Sequence, residues 1–239
     1  MRRAGALAAA VVLALGACGG SDGDSVTVYA AASLTEVFRQ LDPDARFNFA
    51  GSDELAAQIE EGAGADVYAA ASPRYPDELY VDGLVERPLI FATNRLVLIV
   101  PRDNPAGIDS VADLASRGVK LVVGAEGVPV GDYTRTVLAK MGRTDVLASV
   151  VSNEDDVKGV VAKVALGEAD AGFVYATDVT AVEADVRSIE LPAGAQAEIE
   201  YPIAVLEDAS HPAAAQAFVD LVVSERGRQA LRAAGFGLP

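Results

Sequence analysis

The sequence predicts an α/β protein of two βαβ-type domains, one inserted into the other and joined to it by two crossings of the chain. Three observations carry this. From Val26 onward, short β-branched or aromatic runs alternate with amphipathic stretches, the pattern of strands laid side by side with helices on their faces. Two apolar runs, Arg95 to Val100 and Ile199 to Leu206, bracket a middle block with strands and helices of its own. Half of the 239 residues are apolar and there is one cysteine, so no disulfide framework is available and stability must come from a packed core.

Val26-Thr27-Val28-Tyr29 reads as the first strand. Ser33-Leu34-Thr35-Glu36 then has the form of a capping box, opening a helix with Leu34, Val37, Phe38 and Leu41 on one face. Arg46 to Phe49 is a second strand, and Ser52 caps a helix carrying Leu55, Ala56 and Ile59. Asp66 to Ala70 is a third strand; Ser72-Pro73 starts the next helix, and these three βα units end near Gly83. Arg95 to Val100 is a strand halted by Pro101. Asp109 caps a helix, Lys120 to Val123 is a strand, Gly131 to Met141 and Lys158 to Leu166 are helices, and Gly172 to Tyr175 is a strand. Ile199 to Leu206 is a strand interrupted by Pro202, and helices from His211 to Val223 and Glu225 to Ala233 close the chain. The bracketing strands divide it into an outer domain of residues 25–97 and 200–239 and a middle domain of residues 98–199. Two crossings of this kind permit hinge closure around a ligand.

The N-terminus has two arginines, about 14 apolar residues and small residues before Cys18, which is a secretory signal peptide over residues 1–17 and too short for a membrane span. Leu15-Gly16-Ala17-Cys18 resembles the bacterial lipobox, in which the cysteine is acylated. That accounts for a single cysteine in an exported chain. The Gly/Ser/Asp run of residues 18–24 is then a flexible tether. Removing residues 1–17 takes away Arg2 and Arg3 and no acid, so 19 Lys+Arg become 17 against 35 Asp+Glu and the formal charge moves from −16 to −18. Nucleic acid and anionic membrane surfaces are excluded as partners through charge.

Catalytic machinery is scarce. Nucleophilic triads would rest on the one histidine, His211, which precedes Pro212 at a helix start and reads as a surface or capping residue. No Cys/His cluster has metal-ligand spacing, and neither phosphate-loop nor dinucleotide motif is present. No catalytic residue and no cofactor is assigned. What remains is a set of hydrogen-bond donors at five places that read as helix starts or the loops feeding them: Ala31 to Glu36, Ala50 to Asp53, Val128 to Tyr133, Asp155 to Gly159, and Phe173 to Tyr175. Free N–H groups at a helix start bind anions without a charged side chain.

Taken together and in order, these segments resemble the molybdate-binding proteins of bacterial ABC importers, members of the type II periplasmic binding fold. The resemblance runs from Val26 to Gly237 and includes Gln58-Ile59-Glu60, Gly62 to Val67, Phe173 to Asp178, Glu200-Tyr201-Pro202-Ile203-Ala204-Val205 and Gly235-Phe236-Gly237. It implies a mixed sheet in each domain and an oxyanion, molybdate or tungstate, held by Ser33 and Ser52 through hydroxyl and N–H, by the N–H groups of Val130 and Val157, and by the Tyr175 hydroxyl. It also implies a monomer outside the cytoplasmic membrane, anchored there through Cys18, that serves a permease driven by an ATPase. Molybdate at neutral pH is a fully deprotonated tetrahedral dianion, so its oxygens need donors only; phosphate carries a proton and wants an acceptor. A binding protein for sulfate or phosphate on the same fold, an exported enzyme, and a purely structural lipoprotein stay open on the residues alone. Asp53 and Glu54, directly after Ser52, depart from the small or neutral residues of many relatives; pointing to solvent they simply complement the helix dipole, whereas an Asp53 facing the cleft would favour a protonated anion.

Overall fold

The computed structural model describes residues 25–239; the expected signal peptide, Cys18 and the tether lie outside the described residues. The chain runs β1 (Thr27–Ala31), α1 (Thr35–Leu41), β2 (Arg46–Ala50), α2 (Ser52–Glu60), β3 (Val67–Ala69), α3 (Arg74–Val81) and β4 (Leu89–Asn94). It continues through β5 (Leu96–Pro101), β6 (Leu121–Gly124), α4 (Pro129–Lys140), β7 (Val150–Glu154), α5 (Val157–Ala165), β8 (Ala171–Tyr175), the single turn α6 (Ala176–Val179) and β9 (Val186–Glu190). Strand β10 (Ile199–Val205) and helices α7 (Pro212–Val223) and α8 (Glu225–Ala233) complete it.

Ten strands form two mixed five-stranded sheets, in the orders β2-β1-β3-β10-β4 and β7-β6-β8-β5-β9. In each, three parallel strands carry the helical crossovers and the fourth position is a long apolar strand running antiparallel, β10 in one sheet and β5 in the other. The register puts Val28 beside Phe47 and Val67, and Leu98 between Phe173 and Ile189. These centres are fully buried, as strands covered on both faces must be. Phe38 of α1 meets Phe218 of α7 edge-on at 5.3 Å, which packs the C-terminal helices onto the first sheet.

The chain leaves the first sheet at Asn94 and enters the second at Leu96, and it returns between Glu190 and Ile199. Leu96 and Val97, expected in the outer domain, pair with Tyr175 and Val174 of the second sheet, and Ile199 pairs with Asn94 of the first. The two crossings are tied: Leu96 N–H donates to the Gln196 side-chain carbonyl at 3.1 Å, and the Gln196 amide donates back to the Leu96 carbonyl at 2.9 Å.

Three strands have no counterpart in the sequence reading, β4, β7 and β9. All are sheet edges; β7 and β9 mix covered and exposed residues and lack the continuous apolar run of the central strands, whereas β4 has one, Leu89 to Ala92. The cap expected at Asp109 belongs to Ser110, which forms a capping box with Asp113, while Asp109 pairs with Arg187 at 2.9 Å. Pro202, without an N–H, coincides with a register shift in the β10 ladder.

Candidate functional site

Strands β1, β2 and β3 of one sheet and β6, β7 and β8 of the other end facing each other, and a cavity lies where their C-terminal ends meet. This is where open parallel sheets place ligands, because the helix starts that follow the strands converge there. Its walls come from Ala31 to Ser33, Ala50 to Ser52, Ala71, Val128 to Val130, Asp156, Val157 and Tyr175. Oxygen-sized atoms can place their centres within about 20 Å³ of it. That is the scale of a small tetrahedral oxyanion.

All five expected site residues line this cavity, and all are buried. Val130 is the second residue of α4, after Pro129, whose ring supplies no donor; Val157 is the first residue of α5. Neither N–H has an acceptor within its own helix. The α5 start is capped from the side by Asp156, whose carboxylate accepts from Gly159 N–H at 2.9 Å, leaving the Val157 N–H to the cavity. Gly131 lets α4 sit tightly on β6, since a Cβ there would stand 2.1 Å from the Ala125 carbonyl oxygen.

The two serines behave differently from their expected capping roles. Ser33 sits in a short 3-10 turn ahead of α1, and no capping box forms; its hydroxyl lies 3.0 Å from the Tyr201 hydroxyl. Ser52 is the first residue of α2 with Gly51 before it, and its hydroxyl accepts from Ala71 N–H at 3.0 Å. Ala71 N–H can only donate, so the Ser52 proton is left for the cavity. The Ser33 and Tyr201 hydroxyls share a hydrogen bond that either can donate, and the Tyr201 hydroxyl also accepts from the Asn94 amide at 3.4 Å. Tyr201 and Asn94 were not singled out as site residues: Tyr201 stands in a recognisable motif, but nothing in the chain ties it to a serine 168 residues away.

The Tyr175 hydroxyl is buried with no hydrogen-bond partner among the described residues. Burial, then the neighbouring Tyr201, Tyr133 and acidic groups, pushes its pKa well above the usual tyrosine value, so it is a donor at every physiological pH. No Lys, Arg or His side chain lines the cavity among the described residues, and its one carboxylate, Asp156, is occupied in capping. The lining therefore offers hydroxyl and N–H donors to a ligand, which suits a fully deprotonated anion.

Asp53 does not line the cavity. Its side chain lies in the seam between the two halves, close to Gly51 and the Asp155 carbonyl, with one buried oxygen unpaired. Burial, with Asp132 and Asp155 adding like charge, raises its pKa above 3.8 against the pull of its own and Glu54's N–H groups. Glu54 accepts from Gln58 on the exposed face of α2. Gly51 is needed for close approach: a Cβ on it would stand 2.5 Å from the Asp155 carbonyl oxygen.

His211 lies away from the cavity, where its N–H and ring nitrogen meet Asp66 at 2.9 and 3.2 Å. Burial would raise the Asp66 pKa, but hydrogen bonds from Thr27 and His211 hold it below its usual value. Among the described residues no group of His, Cys, Asp and Glu is arranged to hold a metal ion.

The sequence profile of the family described as bacterial extracellular solute-binding protein matches residues 26–237. The chain is 39% identical over 225 residues to the molybdate-binding protein of Mycobacterium tuberculosis, covering 90% of this chain and 85% of that one. Its backbone is similar to that of the periplasmic molybdate-binding protein of Azotobacter vinelandii, with a TM-score of 0.79 at 22% identity over 90% of this chain and all of the other. It is also similar to the sulfate-binding protein of Mycobacterium tuberculosis, with a TM-score of 0.76 at 17% identity over 89% and 86% of the two chains. At such identities the likeness is one of fold, and fold alone does not choose the anion.

Proposed function

The chain belongs to the bacterial extracellular solute-binding proteins, in the company of the molybdate-binding proteins, and from that premise we propose that it captures molybdate in the cavity between its sheets and delivers it to an ABC importer. It is a binding protein, not an enzyme. What supports the reading is the donor set: Ser33 and Ser52 with hydroxyls and N–H groups, Val130 and Val157 with N–H groups, and Tyr175 with its orphaned hydroxyl line one small cavity, and no Lys, Arg or His among the described residues lines it. Hydrogen bonds to a charged group contribute about 1.5–3 kcal/mol each. The helix starts add about 0.3–1 kcal/mol apiece. Tungstate, of the same shape and charge, binds alike.

Two lobes, one on each sheet, close over the ion as the crossings flex. Charge does not separate molybdate from sulfate; size does, because the oxygens of a smaller ion stand too far from some of the donors. Cys18 carries the lipid that keeps a monomeric receptor on the outer face of the cytoplasmic membrane, within reach of the permease and its ATPase. Titration calorimetry with molybdate, tungstate, sulfate and phosphate tests the ligand, and tighter binding of sulfate or phosphate than of molybdate defeats the assignment. Metabolic labelling with a radioactive fatty acid tests the anchor, with incorporation abolished by Cys18→Ala.

A further inference from the structure

Lys158 is the second residue of α5, directly after the Val157 donor, and Glu36 lies in the first turn of α1, three residues after Ser33. Their side chains meet across the two halves of the molecule, with Lys158 Nζ 3.0 Å from Glu36 Oε2. On its own side, Lys158 also faces Asp178, whose side chain is fully buried and stands 3.3 Å away. Burial raises the Asp178 pKa to about 6, and the Lys158 ammonium beside it works against that rise. Glu36, by contrast, is 57% exposed and touches nothing in the cavity.

We propose that the Glu36–Lys158 pair is a latch on the closed form and sets how long the bound ion stays. The inference rests on the ligand reading above. The pair joins the same two elements that the ion joins, the turn carrying Ser33 and the start of α5, and hinge opening separates them. An interaction made only in the closed state retards opening, and therefore release, while leaving the encounter of ion and open cleft unchanged. The pair is half exposed, which limits its effect to about a two- to fivefold change in rate. Salt screens it, so raising ionic strength should hasten release from the natural protein toward the rate of a protein lacking the pair. Tyr75, whose hydroxyl donates to the Gly127 carbonyl of the other half, holds the closed form independently of charge.

The experiment loads the full-length protein with radiolabelled molybdate and chases it with excess unlabelled molybdate, at low and high salt, for the natural chain and Glu36→Gln. The expected result is release about two- to fivefold faster from Glu36→Gln at low salt, with that gap closing at high salt and the association rate unchanged. Lys158→Gln should add little to Glu36→Gln in the double variant; if it unfolds the protein by stranding Asp178, the Glu36→Gln comparison stands alone. Equal release rates for the natural chain and Glu36→Gln at low salt, or a slower association that accounts for the whole loss, overturn the latch. Failure of the natural chain to retain molybdate at all overturns the ligand reading instead.

Discussion

Replacing Tyr175 by Phe should move stability and affinity in opposite directions. The hydroxyl is buried with no partner, and an unsatisfied buried polar group costs about 1–3 kcal/mol. Its ring packs at 5.9 Å and 68° against Tyr201, a contact that Phe reproduces. The ligand-free variant is therefore expected to be as stable as the natural protein or up to about 3 kcal/mol more stable, and each 1 kcal/mol raises the melting temperature by about 2–4 °C in a protein of this size. With molybdate the sign reverses. The variant lacks one hydrogen bond to a charged group, about 1.5–3 kcal/mol, so Kd should rise about 10- to 150-fold. Thermal melts with and without molybdate, together with calorimetry, measure both quantities. Unchanged affinity would show that the hydroxyl does not face the ion, and a markedly less stable ligand-free variant would show that it has a partner inside the protein.

Ser52→Ala should cost on both counts, because it removes a donor to the ion and leaves Ala71 N–H without its acceptor at 3.0 Å, a loss of about 1–3 kcal/mol of stability beyond the binding defect. Ser33→Ala should weaken binding by about 1.5–3 kcal/mol; Val157→Ala, which keeps the N–H, should leave affinity nearly unchanged, as isothermal titrations of the three variants would reveal. Gly51→Ala puts a methyl 2.5 Å from the Asp155 carbonyl oxygen, so closure is obstructed and binding should weaken by about 1–3 kcal/mol, while the ligand-free melt changes little because Gly51 has φ −59, which alanine adopts freely. Asp53→Asn should raise the melting temperature at pH 7. A carboxyl whose pKa is raised by burial withdraws stability as pH climbs above 3.8 and through its folded value, so the advantage of the variant should vanish as the pH is brought down toward 3.8, and an advantage that persisted there would rule out ionisation as its cause.

The central strands and most helices were legible because burial on both faces writes a continuous apolar run. Edge strands β7 and β9 were not, since exposed residues interrupt them, and β4 was passed over although Leu89 to Ala92 is apolar; the pairing of all three is with strands distant in the chain or at the sheet rim. The five donor segments could be read as helix starts from Pro129, Asp156 and the serines, yet the serine hydroxyls do something no local pattern encodes. Ala71 N–H takes the Ser52 oxygen, and the Ser33 hydroxyl pairs with Tyr201, so neither serine is the helix cap it resembles. Asp53 illustrates the converse: its position beside Ser52 left solvent and cleft both open, and its side chain takes neither, lying in the seam close to Gly51 and outside the cavity lining.

A crystal structure of the protein grown with molybdate, with the metal located by its anomalous scattering, tests the central claim most directly. The account predicts a single strong peak enclosed by Ser33, Ser52, Val130, Val157 and Tyr175, with hydroxyls and N–H groups at hydrogen-bond distance from its oxygens and no ammonium or guanidinium touching them. A peak elsewhere, or one clamped by a lysine or arginine side chain, would contradict it.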